Sequence, residues 1–395
     1  MLHLILTSLL AMQDASSSPG VVSSTAPSSS SSSADSRSAT PADGAPTPTP
    51  TPRVSTTARP KVSPTPTPKA AGDVLVVVNK SDSSVSILDA STGKTRATVA
   101  VDKGPHEAEI LADEKVVAIS DYGRTGEPGR SVTLIDLASG KVLSKVDVGE
   151  GSRPHGLKAL PDGRLLITAE GMKELVVLDP RSGKIGPRIP TGKDLSHMVA
   201  ASPDGKRAFV VSLRGGLVTV IDLLSGKIVK DIPTGKGAEG IDVTPDGREV
   251  WVTNRDANTI SVIDTKTLVV VQTIKAAEFP IRVKFSADGK RALVSFTGSG
   301  DIGVYDAATR TESKRIPIGR DAVAGTENRV FAKRFGTSPA PLGLLIAPDG
   351  KRAWVSASHA DVIAVIDLEK LRVEEAWTAG HEPDGLAGRW TRGAR

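Results

Sequence analysis

The sequence predicts an all-β fold, a seven-bladed β-propeller of four-stranded antiparallel blades. The first observation is a repeat, because an apolar pair followed by Asp recurs seven times between positions 89 and 367, mostly at intervals of 42 or 43 residues. The second is a turn, PDG or a close relative, that precedes a short alternating apolar run in six units. Four short strands in a unit of roughly 40 residues are typical of a propeller blade.

Each unit reads as a strand, a PDG turn, a strand, a loop, a strand ending in Asp, an SGK-type turn and a last strand. The first unit, residues 74–101, has only three strands, "VLVVVN", "VSILD" and "TRATVAV". The segment "PDGLAGRW" at 383–390 matches the first strand of a unit. We therefore expect the C-terminal strand to complete the first blade, which removes the free sheet edges. The predicted propeller spans residues 73–390, followed by a short tail at 391–395.

Two N-terminal segments precede the repeats. Residues 1–12 are apolar but too short to span a bilayer, and they predict a signal segment that lacks the usual basic start. Residues 13–72 consist largely of Ser, Thr, Pro and Ala, and such a composition buries too little apolar surface to fold. This pattern favours a periplasmic or secreted protein on a flexible tether, with no transmembrane span in the mature domain.

Composition argues against several function classes. The chain has no Cys, so thiolate catalysis and Cys metal sites are excluded. The formal net charge is +5 and no Lys and Arg run interleaves with aromatic residues, so nucleic acid is not a favoured partner. No glycine-rich loop follows a strand and opens a helix, and we expect no nucleotide cofactor.

The repeat units resemble a known family. The units "VGEGSRPHGLKALPDGRLLITAEGMKELVVLDPRSGK" and "PTGKGAEGIDVTPDGREVWVTNRDANTISVIDTKTL" are similar to the YVTN-type β-propeller repeat, and "WVTN" at 251–254 is nearest to the name motif. The resemblance covers residues 73–390. It implies the propeller fold and leaves function open, because the family includes surface-layer proteins, DNA-associated periplasmic proteins and enzymes.

Propeller geometry sorts the loops onto two faces. The PDG and SGK turns lie together on one face, where Asp and Gly are explained as turn formers. The loops that enter each first strand lie on the other face, called the top. Alignment on P-x-G places one residue of each blade at the channel mouth, in the ring order Asp384, His106, His155, His197, Glu239, Ile281 and Leu342.

Three successive His in this ring predict a ligand site. Neutral imidazoles beside a carboxylate suit a divalent Zn, Cu, Fe, Mn or Ni ion, with His106, His155, His197 and Glu239 as ligands. Asp384, Glu107 and Glu170 are then candidates for a general base or for orienting the ligands. The alternative is that the x of P-x-G is a tolerant position whose His side chains only hydrogen-bond the loops.

Other top-face residues would form a basic rim suited to a small polar or anionic molecule. They are Arg153, Arg214, Arg255, Arg282, Tyr122, His359 and His381. Two insertions, at 121–131 and 319–341, open on the same face, and long insertions on one face of a repeat protein usually mark its binding face.

Two functions remain open from the sequence. The protein is an exported metal-dependent lyase, hydrolase or oxidoreductase acting at the channel mouth, or it is a scaffold that contacts a protein or cell-surface partner through the same face. The three His distinguish them, because only the first function requires these side chains.

Overall fold

The strands form seven antiparallel sheets of four in the part of the chain that the structure describes. The structure is a computed structural model, and it describes residues 72–391 except 320, 322, 326 and 330. The predicted signal segment, the linker up to residue 71 and most of the tail lie outside the described residues. No helix among the described residues is both long and apolar enough to cross a membrane.

The strands of the first four blades follow the repeats. Blade 1 begins with β1 (Val74–Asn79), β2 (Ser84–Asp89) and β3 (Thr95–Ala100). Blade 2 contains β4 (Pro105–Ile110), β5 (Val116–Arg124), β6 (Glu127–Asp136) and β7 (Lys141–Asp147). Blade 3 contains β8 (Pro154–Ala159), β9 (Leu165–Ala169), β10 (Glu174–Asp179) and β11 (Lys184–Pro190). Blade 4 contains β12 (Ser196–Ala201), β13 (Arg207–Ser212), β14 (Leu217–Asp222) and β15 (Lys227–Pro233).

The remaining blades repeat this pattern. Blade 5 contains β16 (Ala238–Val243), β17 (Glu249–Asn254), β18 (Thr259–Asp264) and β19 (Val269–Lys275). Blade 6 contains β20 (Pro280–Phe285), β21 (Arg291–Phe296), β22 (Asp301–Asp306) and β23 (Thr311–Pro317). Blade 7 contains β24 (Pro341–Ile346), β25 (Arg352–Ala357), β26 (Val362–Asp367) and β27 (Arg372–Thr378). The last strand is β28 (Pro383–Arg389).

The predicted closure is confirmed, because β28 pairs antiparallel with β1 and supplies the missing first strand of blade 1. In every blade the chain runs from the first strand, called A, through B and C to the outer strand D. Each A strand contacts the A strands of both neighbouring blades, so the seven surround a central channel.

The core lies between the blades. Val, Ile, Leu and Ala of the B and C strands are buried along almost their whole length, whereas the D strands are mostly exposed, with one buried position near the end of most of them. Clusters of these side chains each join neighbouring blades, as in the one that links blades 4 and 5. Burying β-branched and aliphatic side chains between sheets is the main favourable contribution to such a fold.

The two insertions have different structures. Residues of the first continue β5 and β6 into a longer hairpin that pairs Gly123 with Pro128 and Arg124 with Glu127. The second contains a single helical turn, α1 (Ala332–Phe335), in its described part.

Candidate functional site

The second residues of the A strands stand side by side at one end of the channel. The ring centroids of His106 and His155 are 4.7 Å apart, and those of His155 and His197 are 3.9 Å apart. Glu239 Oε1 lies 2.7 Å from His197 Nε2, and Asp384 Oδ2 lies 2.8 Å from His106 Nδ1. The structure thus brings the five polar ring positions together in the order derived from the repeats.

In three blades a hydroxyl in strand B contacts the ring residue of the next blade, a contact that sequence reasoning missed. Thr168 Oγ1 accepts a hydrogen bond from Gly156 N in its own blade and donates one to the carbonyl of His197 in the next. Thr253 and Ser295 do the same for the next ring positions, Ile281 and Leu342. The signal was the Ser or Thr that precedes the last residue of strand B, as in "LLITA" and "EVWVTN".

The residue before each A strand has the same unusual backbone conformation. In all seven blades this residue has a left-handed φ, and only Gly104 and Gly237 are glycines. The five others are Arg153, Leu195, Phe279, Ala340 and Glu382. A non-glycine residue in this conformation costs roughly 1 kcal/mol or more, and such strain concentrates at functional sites.

The ring opens into a cavity of about 760 Å³, here called the mouth cavity. Of the predicted rim, Arg153, Arg214, Arg255, Arg282 and Tyr122 line it, whereas His359 and His381 are not among its lining residues. His359 is buried elsewhere, and exposed His381 lies 2.8 Å from Asp82. Lys80 and Arg124 also line the mouth cavity.

His197 is held between two carboxylates. Its Nε2 lies 2.7 Å from Glu239 Oε1, and its Nδ1 lies 3.3 Å from Glu170 Oε1. Burial disfavours the charged imidazolium, but Glu239 and Glu170 outweigh burial and raise the pKa of His197 to about 9. His197 is therefore protonated at neutral pH.

Glu239 is held by cations. Its Oε2 accepts a hydrogen bond of 2.7 Å from Arg255 Nη1, and Arg282 Nη1 lies 3.4 Å from its Oε1. Burial alone would raise the pKa of Glu239, but His197, Arg255 and Arg282 lower it far below the usual range. This carboxylate is ionised and both of its oxygens are occupied.

His155 and His106 are neutral. Burial lowers the pKa of His155 well below its ordinary value, and the positive charges of His197, Arg282 and Lys80 add to this effect. Burial and the Lys80 ammonium lower the pKa of His106 against the attraction of Asp384. His155 Nδ1 has no hydrogen-bond partner among the described residues, whereas His106 Nδ1 lies 2.8 Å from Asp384 Oδ2.

A second charged layer follows one residue further along the A strands. Four blades carry glycine there, but Glu107 and Arg282 replace it in blades 2 and 6 and form an ion pair. These blades are not neighbours, so the pair spans the channel. The charge of Glu107, a candidate general base, is thus balanced by Arg282, and the pair lies across the channel behind the ring.

The second insertion covers the apolar part of the ring. Phe331 and Phe335 pack against Phe279 and the apolar ring residues Ile281 and Leu342. The polar ring residues line the mouth cavity beside this aromatic cluster. A ligand therefore meets imidazoles and carboxylates on one side and aromatic rings on the other.

The predicted metal ligands are adjacent, but two of them, His197 and Glu239, bind each other. Both nitrogens of His197 and both oxygens of Glu239 are engaged in the contacts above. Among the described residues, no three His, Asp or Glu side chains are arranged to hold a metal ion. The uncommitted donor of the predicted set is the neutral imidazole of His155.

The chain is similar in part to a known family. The family described as Cytochrome D1 heme domain matches residues 165–280 and 243–327, which together make up less than half of the chain. No curated protein matches the chain.

Several solved structures share the fold. Hydrazine synthase of Kuenenia stuttgartiensis is 21% identical with a TM-score of 0.57, over 68% of this chain and 77% of that one. Dihydro-heme d1 dehydrogenase NirN in complex with DHE is 20% identical with a TM-score of 0.58, over 82% of this chain and 77% of its own. Periplasmic gluconolactonase PpgL of Pseudomonas aeruginosa is 18% identical with a TM-score of 0.64, over 80% of this chain and 99% of its own. At these identities the likeness establishes the β-propeller fold alone.

Proposed function

We propose that the protein binds a heme-type tetrapyrrole in the mouth cavity and that His155 ligates its iron. The observation that carries the proposal is the buried, neutral His155 imidazole, whose Nδ1 has no partner among the described residues. The similarity of residues 165–327 to the Cytochrome D1 heme domain family supports this ligand class, as does the likeness of the fold to dihydro-heme d1 dehydrogenase NirN.

The residues present fit such a group. A neutral imidazole is a common ligand of heme iron, and a lowered pKa keeps the nitrogen lone pair available. Carboxylate substituents of such a tetrapyrrole would suit the guanidinium groups at the cavity rim, because Arg binds carboxylates through paired N–H donors. Arg153 is placed for this role, since its guanidinium lies 4.1 Å from the centre of the Tyr122 ring and its buried Nε lacks a partner among the described residues.

The bound group would supply redox chemistry at iron. The chain would hold it through His155 and orient it through Arg153 and the neighbouring rim cations. The His197 imidazolium, stacked against His155, places a fixed positive charge beside the ligating ring. The Glu107–Arg282 pair would restrict entry to the top face.

The test is a titration of the purified full chain with hemin, followed by the Soret absorption band. We expect saturation at one hemin per chain and a red-shifted band. His155→Ala should weaken binding about tenfold or more, because even outer partners of a metal ligand contribute 10- to 100-fold. His381→Gln is the matched control, since His381 is exposed and lies outside the mouth cavity lining. No band shift, or equal effects of the two substitutions, would contradict the proposal.

A divalent ion on His155 and His106 is the second candidate, favoured by the closeness of these two neutral imidazoles. Binding of a divalent ion at this place requires the side chain of Glu239 or His197 to break its present hydrogen bonds. Metal content by mass spectrometry, in the wild type and in a variant with His106, His155 and His197 changed to Ala, tests it directly. Stoichiometric metal that is lost in the folded variant would favour this candidate over heme, whereas metal-free wild type would exclude it.

The proposal also covers the repeat family and the location of the protein. We retain the YVTN-type repeat as the description of the blades, on the residues quoted above. We also propose an extracytoplasmic location, supported by the apolar N-terminal residues and by the likeness of the fold to the periplasmic gluconolactonase PpgL. A scaffold that binds a protein partner through the top face is the expected alternative if neither hemin nor metal binds.

A further inference from the structure

A second cavity adjoins the mouth cavity between blades 4 and 5. This outer groove has a volume of about 670 Å³ and is formed by the turn at 213–216 and the connection at 233–237, with Arg255 and Asp256 at one side. It shares Leu195, Leu213, Arg214 and Arg255 with the mouth cavity, so the two spaces adjoin.

Glycines bring the two loops of the outer groove together. Gly216 has a φ of +61°, and a Cβ there would lie 2.8 Å from the carbonyl oxygen of Gly235. Gly237 has a φ of +72°, and a Cβ there would lie 2.5 Å from Asp256 Oδ2. The backbone itself therefore lines the groove, and a ligand can approach main-chain groups directly.

Three successive amides of this backbone are uncommitted. The N–H groups of Gly235, Lys236 and Gly237 donate no hydrogen bond to any described residue. Successive free N–H groups in a turn that ends with a left-handed residue form a concave anion-binding arrangement. Such an arrangement takes an oxygen of a carboxylate or phosphate.

The side chains of the outer groove add unpaired positive charge. Arg214 and Lys236 form no ion pair within the described part of the chain. Lys103, which stands at the same place before strand A of blade 2, is paired with Glu127, and Lys193 is paired with Asp231 at 2.8 Å. Lys236 of blade 5 has no such partner among the described residues.

The acidic residues near the groove are already neutralised. Asp256 lies 3.5 Å from Arg334 and 3.8 Å from Arg255, and Asp194 is bound to Lys173 at 2.5 Å. An incoming anion would therefore meet Arg214 and Lys236 without displacing a carboxylate from either of them.

We propose that the outer groove is an anion-binding subsite for a carboxylate or phosphate group, held by the amides of 235–237 and by Arg214 and Lys236. Because the groove shares lining residues with the mouth cavity, we expect an anionic substituent of a ligand bound there to occupy it. This last step rests on the proposed function, whereas the anion site does not.

The first experiment titrates the full chain with inorganic pyrophosphate and, separately, with malonate, following amide chemical shifts and heat. Shifts at Gly235, Lys236 and Gly237 are expected, and the stronger of the two probes identifies phosphate or carboxylate as the preferred group. The variant Arg214→Gln/Lys236→Gln should weaken binding about tenfold or more, since two charge-assisted contacts are lost.

The matched control is Lys103→Gln/Arg130→Gln, which removes the same charge from two exposed cations that are ion-paired. It should leave pyrophosphate affinity nearly unchanged. Equal weakening by both double variants, or shifts confined to residues outside the groove, would overturn the proposal.

A second experiment links the groove to the mouth ligand by comparing hemin with its dimethyl ester, which carries no carboxylate. The Arg214→Gln/Lys236→Gln variant should lose the preference for hemin while keeping the Soret shift that depends on His155. A preference that persists would overturn the link. If hemin does not bind the wild type, the proposed function fails, and the pyrophosphate titration still decides whether the anion site exists.

Discussion

One residue of blade 2 departs from the chemistry of its equivalents. Asn79 Nδ2 donates hydrogen bonds to Ser84 and Ser86, and Asn254 Nδ2 donates to Thr259 and Ser261. The equivalent Asp121 instead accepts hydrogen bonds at its Oδ2 from the hydroxyls of Ser131 and Thr133. Its Oδ1 is buried without a partner among the described residues, and burial raises the pKa of Asp121 to about 6.

Asp121→Asn should therefore stabilise the protein at neutral pH. The folded pKa of Asp121 lies above its ordinary value of 3.8, so its contribution to stability is present below about pH 4 and is lost as the pH rises through about 6. We expect a gain of about 1 to 2 kcal/mol near pH 7 and little gain near pH 4, measured by urea unfolding. The reciprocal Asn254→Asp should destabilise the protein. An equal gain at both pH values would refute the titration argument.

At the scale of the strand, hydroxyls couple each blade to the next. The Oγ1 of Thr168 lies 2.7 Å from Gly156 N and 2.5 Å from the carbonyl oxygen of His197. Through this bridge a B strand positions the ring residue of the neighbouring blade. The geometry of the His cluster therefore depends on side chains that do not touch a ligand.

Thr168→Val should lower the free energy of unfolding by about 1 to 3 kcal/mol, because two buried backbone groups lose their partner. It should also shift the imidazole resonances of His197 as the ring moves relative to Glu170 and Glu239. Thr168→Ser keeps the hydroxyl and is the control, with a smaller loss and little change at His197. Equal behaviour of the two variants would mean that packing, not the hydrogen bond, matters at this position.

At the scale of the whole molecule, charged residues from several blades form one network at the channel mouth. This network is complete only when the blades are folded into a ring. His197 and Glu170 come from blades 4 and 3, Glu239 comes from blade 5 and Arg282 from blade 6. Unfolding separates these groups and returns each to its ordinary pKa. The stability of the entire propeller is therefore linked to their protonation.

Stability should fall as the pH rises above neutrality. The folded pKa of His197 is raised to about 9 from 6.5, so its stabilising contribution is complete below pH 6.5 and is lost as the pH passes 9. We expect about 2 to 3 kcal/mol to disappear across this interval, measured by denaturant unfolding. His197→Gln should flatten most of the slope, and His381→Gln should change it little. A slope unchanged in the His197 variant would disprove this origin.

The repeats made the site predictable to a large extent. Aligning P-x-G placed Asp384, His106, His155, His197 and Glu239 in one arc because every blade presents this residue at the same height. The role of each side chain was not predictable, since the sequence did not reveal that Glu239 would be held by Arg255 and Arg282. Ion pairs between distant segments depend on rotamers and burial, which a repeat does not encode.

The sequence by itself determined the seven blades, the closure of blade 1 by β28 and the ring order of the mouth. These follow from strand periodicity and turn residues, which act over a few positions along the chain. Only the tertiary structure decided which imidazole is charged and which cations stay unpaired. Those properties arise where strands that are far apart in the chain meet, and where burial strengthens the effect of each nearby charge on a pKa.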